Sequence, residues 1–142
     1  MKSFISVASL LLMLIVSSPL QAEQKQTLGP WDVHYLAFNA TFLTPDIANS
    51  YGIQRSRYTA IVNLSVLDKQ DQTAQQVTIE GNARNLLGQV RQLSFKRVQD
   101  GDAIYYFAPL TIRNDELWRF QITIRQGTEQ QQLRFEQTFY VD

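Results

Sequence analysis

The sequence predicts an all-β protein: an antiparallel immunoglobulin-like β-sandwich of about seven strands, with one short helix between strands 1 and 2. Three observations predict it. Apolar and polar residues alternate over most of the chain beyond residue 30, which is the period of a strand with one dry face. Asp100-Gly101 and Gly127-Thr128 stand between alternating runs, where tight hairpin turns belong. Cysteine is absent, so an apolar core rather than disulfides must hold the fold.

Before the alternation begins, Lys2 precedes an apolar block from Phe4 to Val16, then Ser17, Ser18, Pro19 and the exit Leu20-Gln21-Ala22. A bilayer core of roughly 30 Å needs about 20 apolar residues, so this block suits a secretory leader rather than a span. The expectation is a signal peptide over 1–22, cleaved after about Ala22, and a single sandwich domain over 23–142 in the periplasm. No cysteine follows the block to carry a lipid anchor, and no later segment has spanning length, so no stable membrane span remains after leader removal.

Lys2 is the one charged residue before Glu23, leaving twelve basic side chains against thirteen acidic ones. A nucleic-acid binder carries a clustered basic excess, so nucleic acid is not an expected partner. Both methionines, Met1 and Met13, lie in the leader, and His34 is the sole histidine. Copper and thiolate-zinc sites therefore lack their ligands, and no cofactor or metal is expected.

The clearest strand is 118–125, WRFQITIR, with Trp118, Phe120, Ile122 and Ile124 on one side and Arg119, Gln121, Thr123 and Arg125 on the other. The same period predicts strands near 31–42, 57–67, 76–84, 90–98, 103–112 and 130–141. A turn at Asp100-Gly101 would set Phe95 opposite Tyr106 and Lys96 opposite Tyr105. A turn at Gly127-Thr128 would set Phe120 against Phe135, Ile122 against Leu133 and Arg119 against Glu136. Tyr105 and Phe107 then share a face with Lys96 and Ser94, opposite Phe95 and Tyr106, so both faces of this hairpin are partly apolar. The second face is either covered by the chain itself or left for a partner.

One stretch breaks the alternation. In TFLTPDIANSYGI, Thr44 suits a helix N-cap, Pro45 the first helical position, Asp46 the positive dipole end, and Gly52 the residue after the helix. A helix of about two turns is unstable alone, so it has to pack, and the expected place is a lid over one open end of the sandwich with Ile47 and Tyr51 on its buried face. Arg55 and Arg57 follow, bracketing Ser56, with Tyr51 and Tyr58 beside them. Arginine with tyrosine is the composition of recognition hot spots, and a guanidinium takes a carboxylate in two parallel hydrogen bonds. Arg55, Arg57 and Tyr51 are the candidate binding residues; the opposing reading is a solvated strand entry, with Tyr51 in the core and Tyr58 beginning an inward set with Ala60, Val62, Leu64 and Val66.

The phrases AFNATFLTPDIANSYGI, NLLGQ and AIYYFAPL, in that order, resemble a family of secreted bacterial proteins known as domain of unknown function 4426. The likeness covers essentially all of 23–142. It implies an exported β-sandwich domain in a Gram-negative bacterium, and carries over neither an activity nor functional residues.

Other constellations are weak. A lone His34, aligned with Leu36, Phe38 and Phe42, reads as a hydrogen-bonded residue at the core rim rather than a catalytic base. The acids Asp68 and Asp71, Asp100 and Asp102, and Asp115 and Glu116 fall in turns, where carboxylates bind local backbone. Gly81, Gly88 and Gly127 read as bulge or turn residues, and Gln130 to Gln132 as an uncharged edge open to a partner strand. The expected function is a non-catalytic exported sandwich that binds or supports another cell-envelope protein. The alternative is a small-ligand module with its ligand under the 45–52 helix, and a third reading is an enzyme working with paired acids alone.

Overall fold

A computed structural model describes residues 23–141 of the chain. The expected leader over 1–22 lies outside the described residues. In chain order the elements are β1 (Gln24–Leu28), β2 (Trp31–Asn39), a 3-10 turn (Ala40–Phe42), α1 (Pro45–Ser50), β3 (Thr59–Asp68), β4 (Thr78–Asn85), β5 (Val90–Leu93), β6 (Lys96–Asp100), β7 (Ala103–Thr111), β8 (Glu116–Gln126) and β9 (Glu129–Phe139). They form two antiparallel sheets, a first in the order β1-β2-β3-β7-β6 and a second in the order β5-β4-β8-β9.

Alternation does what it predicts. Val33, Tyr35 and Ala37 of β2, Val62, Leu64 and Val66 of β3, and Ile104, Tyr106 and Ala108 of β7 turn inward from the first sheet. Trp118, Phe120, Ile122 and Ile124 of β8, with Leu133 and Phe139 of β9, meet them from the second. An aromatic run joins the layers: the rings of Tyr35 and Phe135 lie 4.5 Å apart, Phe120 stacks on Phe135 at 4.5 Å, and Phe139 meets Phe120 edge-on at 6.3 Å.

The β8–β9 register is as expected, with Phe120 opposite Phe135, Ile122 opposite Leu133, and Arg119 opposite Glu136. That last pair is an ion pair at 3.3 Å. The β6–β7 hairpin differs. Asp100 pairs with Ala103, so the two-residue loop is Gly101-Asp102, and Lys96 stands opposite Phe107 and Arg97 opposite Tyr106. Gly101 carries the positive φ, 60°, as the first central residue of that loop. The slip is two residues, so every side chain keeps its face.

Nine strands among the described residues replace the expected seven. The extra β1 holds Leu28 as its only large apolar residue, too little for a period to show. The expected strand 90–98 is two: β5 ends at Leu93 in the second sheet, and after Ser94-Phe95 the chain restarts as β6 in the first. That crossing closes one side of the sandwich. On the other side, between β1–β2 and β9, side-chain amides stitch the layers: Gln26 donates to the Arg134 carbonyl at 3.0 Å, and Gln137 to the Ala37 carbonyl at 2.7 Å. Gln130–Gln132 does lie on the edge strand β9.

Three smaller expectations are corrected. Tyr58 is exposed, and the inward set of β3 starts at Ala60, because β3 itself begins at Thr59. Gly81 is neither bulge nor turn. It lies within β4 opposite Ile122, and a Cβ there would come 2.9 Å from Ile122 Cγ1 and 3.0 Å from the Gln121 carbonyl. His34 makes no hydrogen bond through Nε2, which is buried on the outward side of β2.

Candidate functional site

The TPDIANSYG segment folds as its residues dictate. Thr44 takes an extended backbone and its hydroxyl accepts from the Ile47 N–H at 3.3 Å, while Pro45 occupies the first turn. The helix closes with the Ile53 N–H bonded to the Ala48 carbonyl at 2.7 Å and Gly52 at φ 67°. Six residues of helix hold only because they pack.

They do not pack on an end of the sandwich. The residues C-terminal to the helix lie on the outer face of the first sheet, where Tyr51 and Ile53, with Leu43, rest on a second cluster of Ala40, Ile61 and Phe107. The Tyr51 and Phe107 rings are 6.1 Å apart, and Lys96 Nζ donates to the Tyr51 carbonyl at 3.4 Å, fixing the segment to β6. Ile47 is exposed and Ala48 is the buried helical residue, so of the expected pair Ile47 and Tyr51 only Tyr51 packs.

This cover is partial. Beside it lies a groove of about 320 Å³ between Leu43, Tyr51 and Ile53 on one wall and Val98, Tyr105 and Phe107 on the other, with Phe38 and Ile61 as floor. Asn63 and Asp100 bring polar side chains to it, and Tyr51 and Tyr105 add phenol hydroxyls to otherwise apolar walls. Chemically it can desolvate one or two apolar groups and offer a hydrogen bond at the rim. It holds no imidazole, thiol or paired carboxylate. The second apolar face of the β6–β7 hairpin is thus covered in part by the chain itself, with Tyr105 left exposed.

The structure does not gather the three candidate residues into one site. Tyr51 lines the groove, but neither arginine does. Arg55 donates to the Thr41 carbonyl at 3.2 Å, and the Arg57 guanidinium lies 5.4 Å from the centre of the Tyr58 ring. Each arginine is held by its own neighbour, so the two do not form a fork for one carboxylate. Sequence reading places Phe38 only on the His34 side of its strand and does not single out Ile61 or Val98. For Ile61 the signal is the triplet Ala60-Ile61-Val62, where an apolar residue occupies the outward position of the alternation.

Asp68 and Asp71 behave as turn residues, whereas Glu116, expected in a turn, opens β8. Asp68 accepts from the Gln70 and Asp71 N–H groups, and Asp71 accepts from the Thr73 N–H and hydroxyl, which hold its carboxyl below the ordinary value. Asp32, buried on the outer side of β2, accepts from the Thr27 hydroxyl at 2.7 Å and from Gln72 Nε2 at 3.0 Å, with Lys25 at 3.9 Å. Those hydrogen bonds, Thr27 first, and then the lysine lower its pKa against the opposing effect of burial.

One feature of the β4–β5 connection had no reading from sequence. Asn85 is buried, and its side-chain oxygen accepts from the Leu87 N–H at 3.1 Å and the Gln89 N–H at 2.9 Å. Its amide donates to Gln89 at 2.9 Å and reaches Glu116 at 3.4 Å. The turn so fixed holds Leu86 and Leu87 in solvent.

Comparison with known proteins places the chain. Residues 25–142 match the profile of the family described as Domain of unknown function (DUF4426). A crystal structure of a DUF4426 family protein from Pseudomonas aeruginosa is similar at a TM-score of 0.76 and 33% identity, over 87% of this chain and 98% of that one. Two structures of FetP from uropathogenic Escherichia coli, one a copper-bound variant and one as isolated, are each similar at a TM-score of 0.59 and 10% identity. They cover 84% of this chain and 91% and 95% of theirs, a likeness of fold alone. No curated protein sequence matches the chain. Profile and crystal relative together make this chain a member of the DUF4426 family.

Proposed function

We propose that the protein is an exported, non-catalytic β-sandwich that binds another cell-envelope protein, taking one or two apolar side chains of that partner into the groove beside Tyr51. The observation that carries this is the groove itself: an open, mainly apolar trough lined by aromatic and aliphatic side chains, with Asn63, Asp100 and the hydroxyl-bearing Tyr51 and Tyr105 as its polar members. Export rests on the leader pattern of residues 1–22.

Copper, present in one FetP structure, finds no matching donor set here. The described residues offer His34 alone among soft or borderline ligands, and no group of three His, Cys, Asp or Glu among them is placed to share an ion.

The experiment is affinity capture of the tagged exported protein from envelope extracts, comparing Tyr105→Glu with Arg55→Ala/Arg57→Ala. A charge at Tyr105 is expected to abolish capture while the arginine double variant retains it. Equal capture by wild type and Tyr105→Glu overturns the reading. A second reading, a small apolar ligand in the same groove, is favoured by one observation: about 320 Å³ lies within the range of small-molecule sites. Native mass spectrometry of the purified protein would then show a bound mass that Tyr105→Glu loses.

A further inference from the structure

The edge strands of the two sheets are not equally open. On one side β1 and β9 close on each other: Gln26 takes the Arg134 carbonyl on the outer edge of β9, and Gln137 takes the Ala37 carbonyl on β2 where β1 has ended. On the other side β5 has four residues and β6 five, and β6 is exposed at every position except the half-buried Val98. Asp100 and Ala103 close the two-residue loop as a hydrogen-bonded pair, so Lys96, Val98 and Asp100 turn their backbone groups to β7, while Arg97 and Gln99 turn theirs outward. Among the described residues no second strand pairs with β6, and no turn or loop backbone bonds to those outward groups.

The residues of β6, KRVQD, are complementary to their own reverse. Run antiparallel to a second copy about Val98, they set Lys96 opposite Asp100, Arg97 opposite Gln99 and Val98 opposite itself. The outward backbone groups of Arg97 then face those of Gln99, so each such pair exchanges both its hydrogen bonds. Lys96 and Asp100 fall at the closely approaching positions between those bonds, unlike charge against unlike charge on both sides of the axis. Lys96 has donors left for that carboxylate beyond the one it gives the Tyr51 carbonyl. A shift of two residues one way would oppose Arg97 to Arg97, and the other way Asp100 to Val98, so charge selects one register. Charge on an edge strand ordinarily discourages pairing; this order of residues turns the same charges into a match for one partner.

We infer that a second copy of this chain docks on β6 about a two-fold axis, joining the two five-stranded sheets into one. The occupant is set by sequence complementarity along the strand, which a different protein would have to reproduce in reverse. The apolar groove is affected directly, because Val98 and Asp100 line it and also form the contact. Two grooves then lie on one continuous sheet face and meet at the axis, with the paired Val98 side chains between them. This holds whether the groove takes a protein side chain or a small molecule.

Residues 23–142 contain both sheets and the whole core, and lack the apolar leader block that would itself drive association. Sedimentation velocity over a concentration series tests the inference on this form, and a monomer–dimer equilibrium is expected. Lys96→Glu sets acid against Asp100 on both sides of the axis and is expected to raise the dissociation constant about tenfold or more; adding Asp100→Lys to it restores the dimer. Both residues are exposed in the single chain, so these variants keep its fold. Because the chain has no cysteine, a single introduced one reports position. Val98→Cys is expected to form an interchain disulfide about tenfold faster than Arg97→Cys under the same oxidant, since position 98 faces itself within disulfide reach and position 97 does not. A monomer at all concentrations up to about 1 mM overturns the inference. So does a dimer indifferent to Lys96→Glu, a dimer that Asp100→Lys fails to restore, or equal cross-linking at the two positions.

Discussion

Asn85 shows how one side chain sets the form of a loop. It is buried, and both its oxygen and its amide are bonded within the turn or to Glu116, so Asn85→Ala strands two backbone N–H groups and part of a carboxylate at once. A loss of about 2–3 kcal/mol is expected, read as a lower urea midpoint at unchanged slope. Gly81 fails for the opposite reason: there is no room. Gly81→Ala drives a methyl into Ile122 and the Gln121 carbonyl and should cost about 1–3 kcal/mol, whereas Gly88→Ala meets nothing within 4 Å and suffers only from its φ of 83°. Asp32 adds a pH dependence. Its folded carboxyl sits below the ordinary value, so its contribution to stability is complete above the unfolded pKa of about 3.9 and is lost as pH falls through the folded pKa. In Asp32→Asn the acid limb of a urea-midpoint against pH profile is expected to flatten, while a wild-type-like limb would show that Thr27 and Gln72 hold the carboxylate too weakly to matter.

At the scale of elements, the helix is the informative case. Its cap, its proline and its closing glycine are all legible in TPDIANSYG, because each acts through bonds to near neighbours in sequence. Its position is not legible. Whether a two-turn helix closes an end or lies on a face depends on Ile61 and Phe107, which are remote in sequence and read individually as ordinary strand residues. The same division runs through the strands. The β8–β9 hairpin follows from its own alternation and turn, but the break at Ser94-Phe95 is set by which sheet has room for the next strand. The candidate arginines illustrate the limit for sites: proximity in sequence placed Arg55 beside Arg57, and the carbonyl of Thr41 and the ring of Tyr58 pull them apart in function. Thr44→Ala is expected to cost about 1 kcal/mol and to raise hydrogen exchange over 45–53 more than in the strands, since the cap supports that segment alone.

For the whole molecule, topology governs when the fold can appear. The first sheet needs β7, ending at Thr111, and the second needs β9, ending at Phe139, while Gln137 reaches back to the Ala37 carbonyl. Pairings this distant in sequence place refolding in the range of milliseconds to seconds, to be checked by stopped-flow fluorescence of Trp31 and Trp118, both buried in the core. The crossing at Ser94-Phe95 sharpens the point, since it threads one continuous chain through both layers and neither layer can mature as an independent half. A polypeptide delivered amino-end first through a narrow channel would thus emerge without a finished hydrophobic interior until its final forty or so residues had passed. On the proposed export route, such a chain would stay unfolded enough to thread, and would resist proteases only once β9 had joined its sheet.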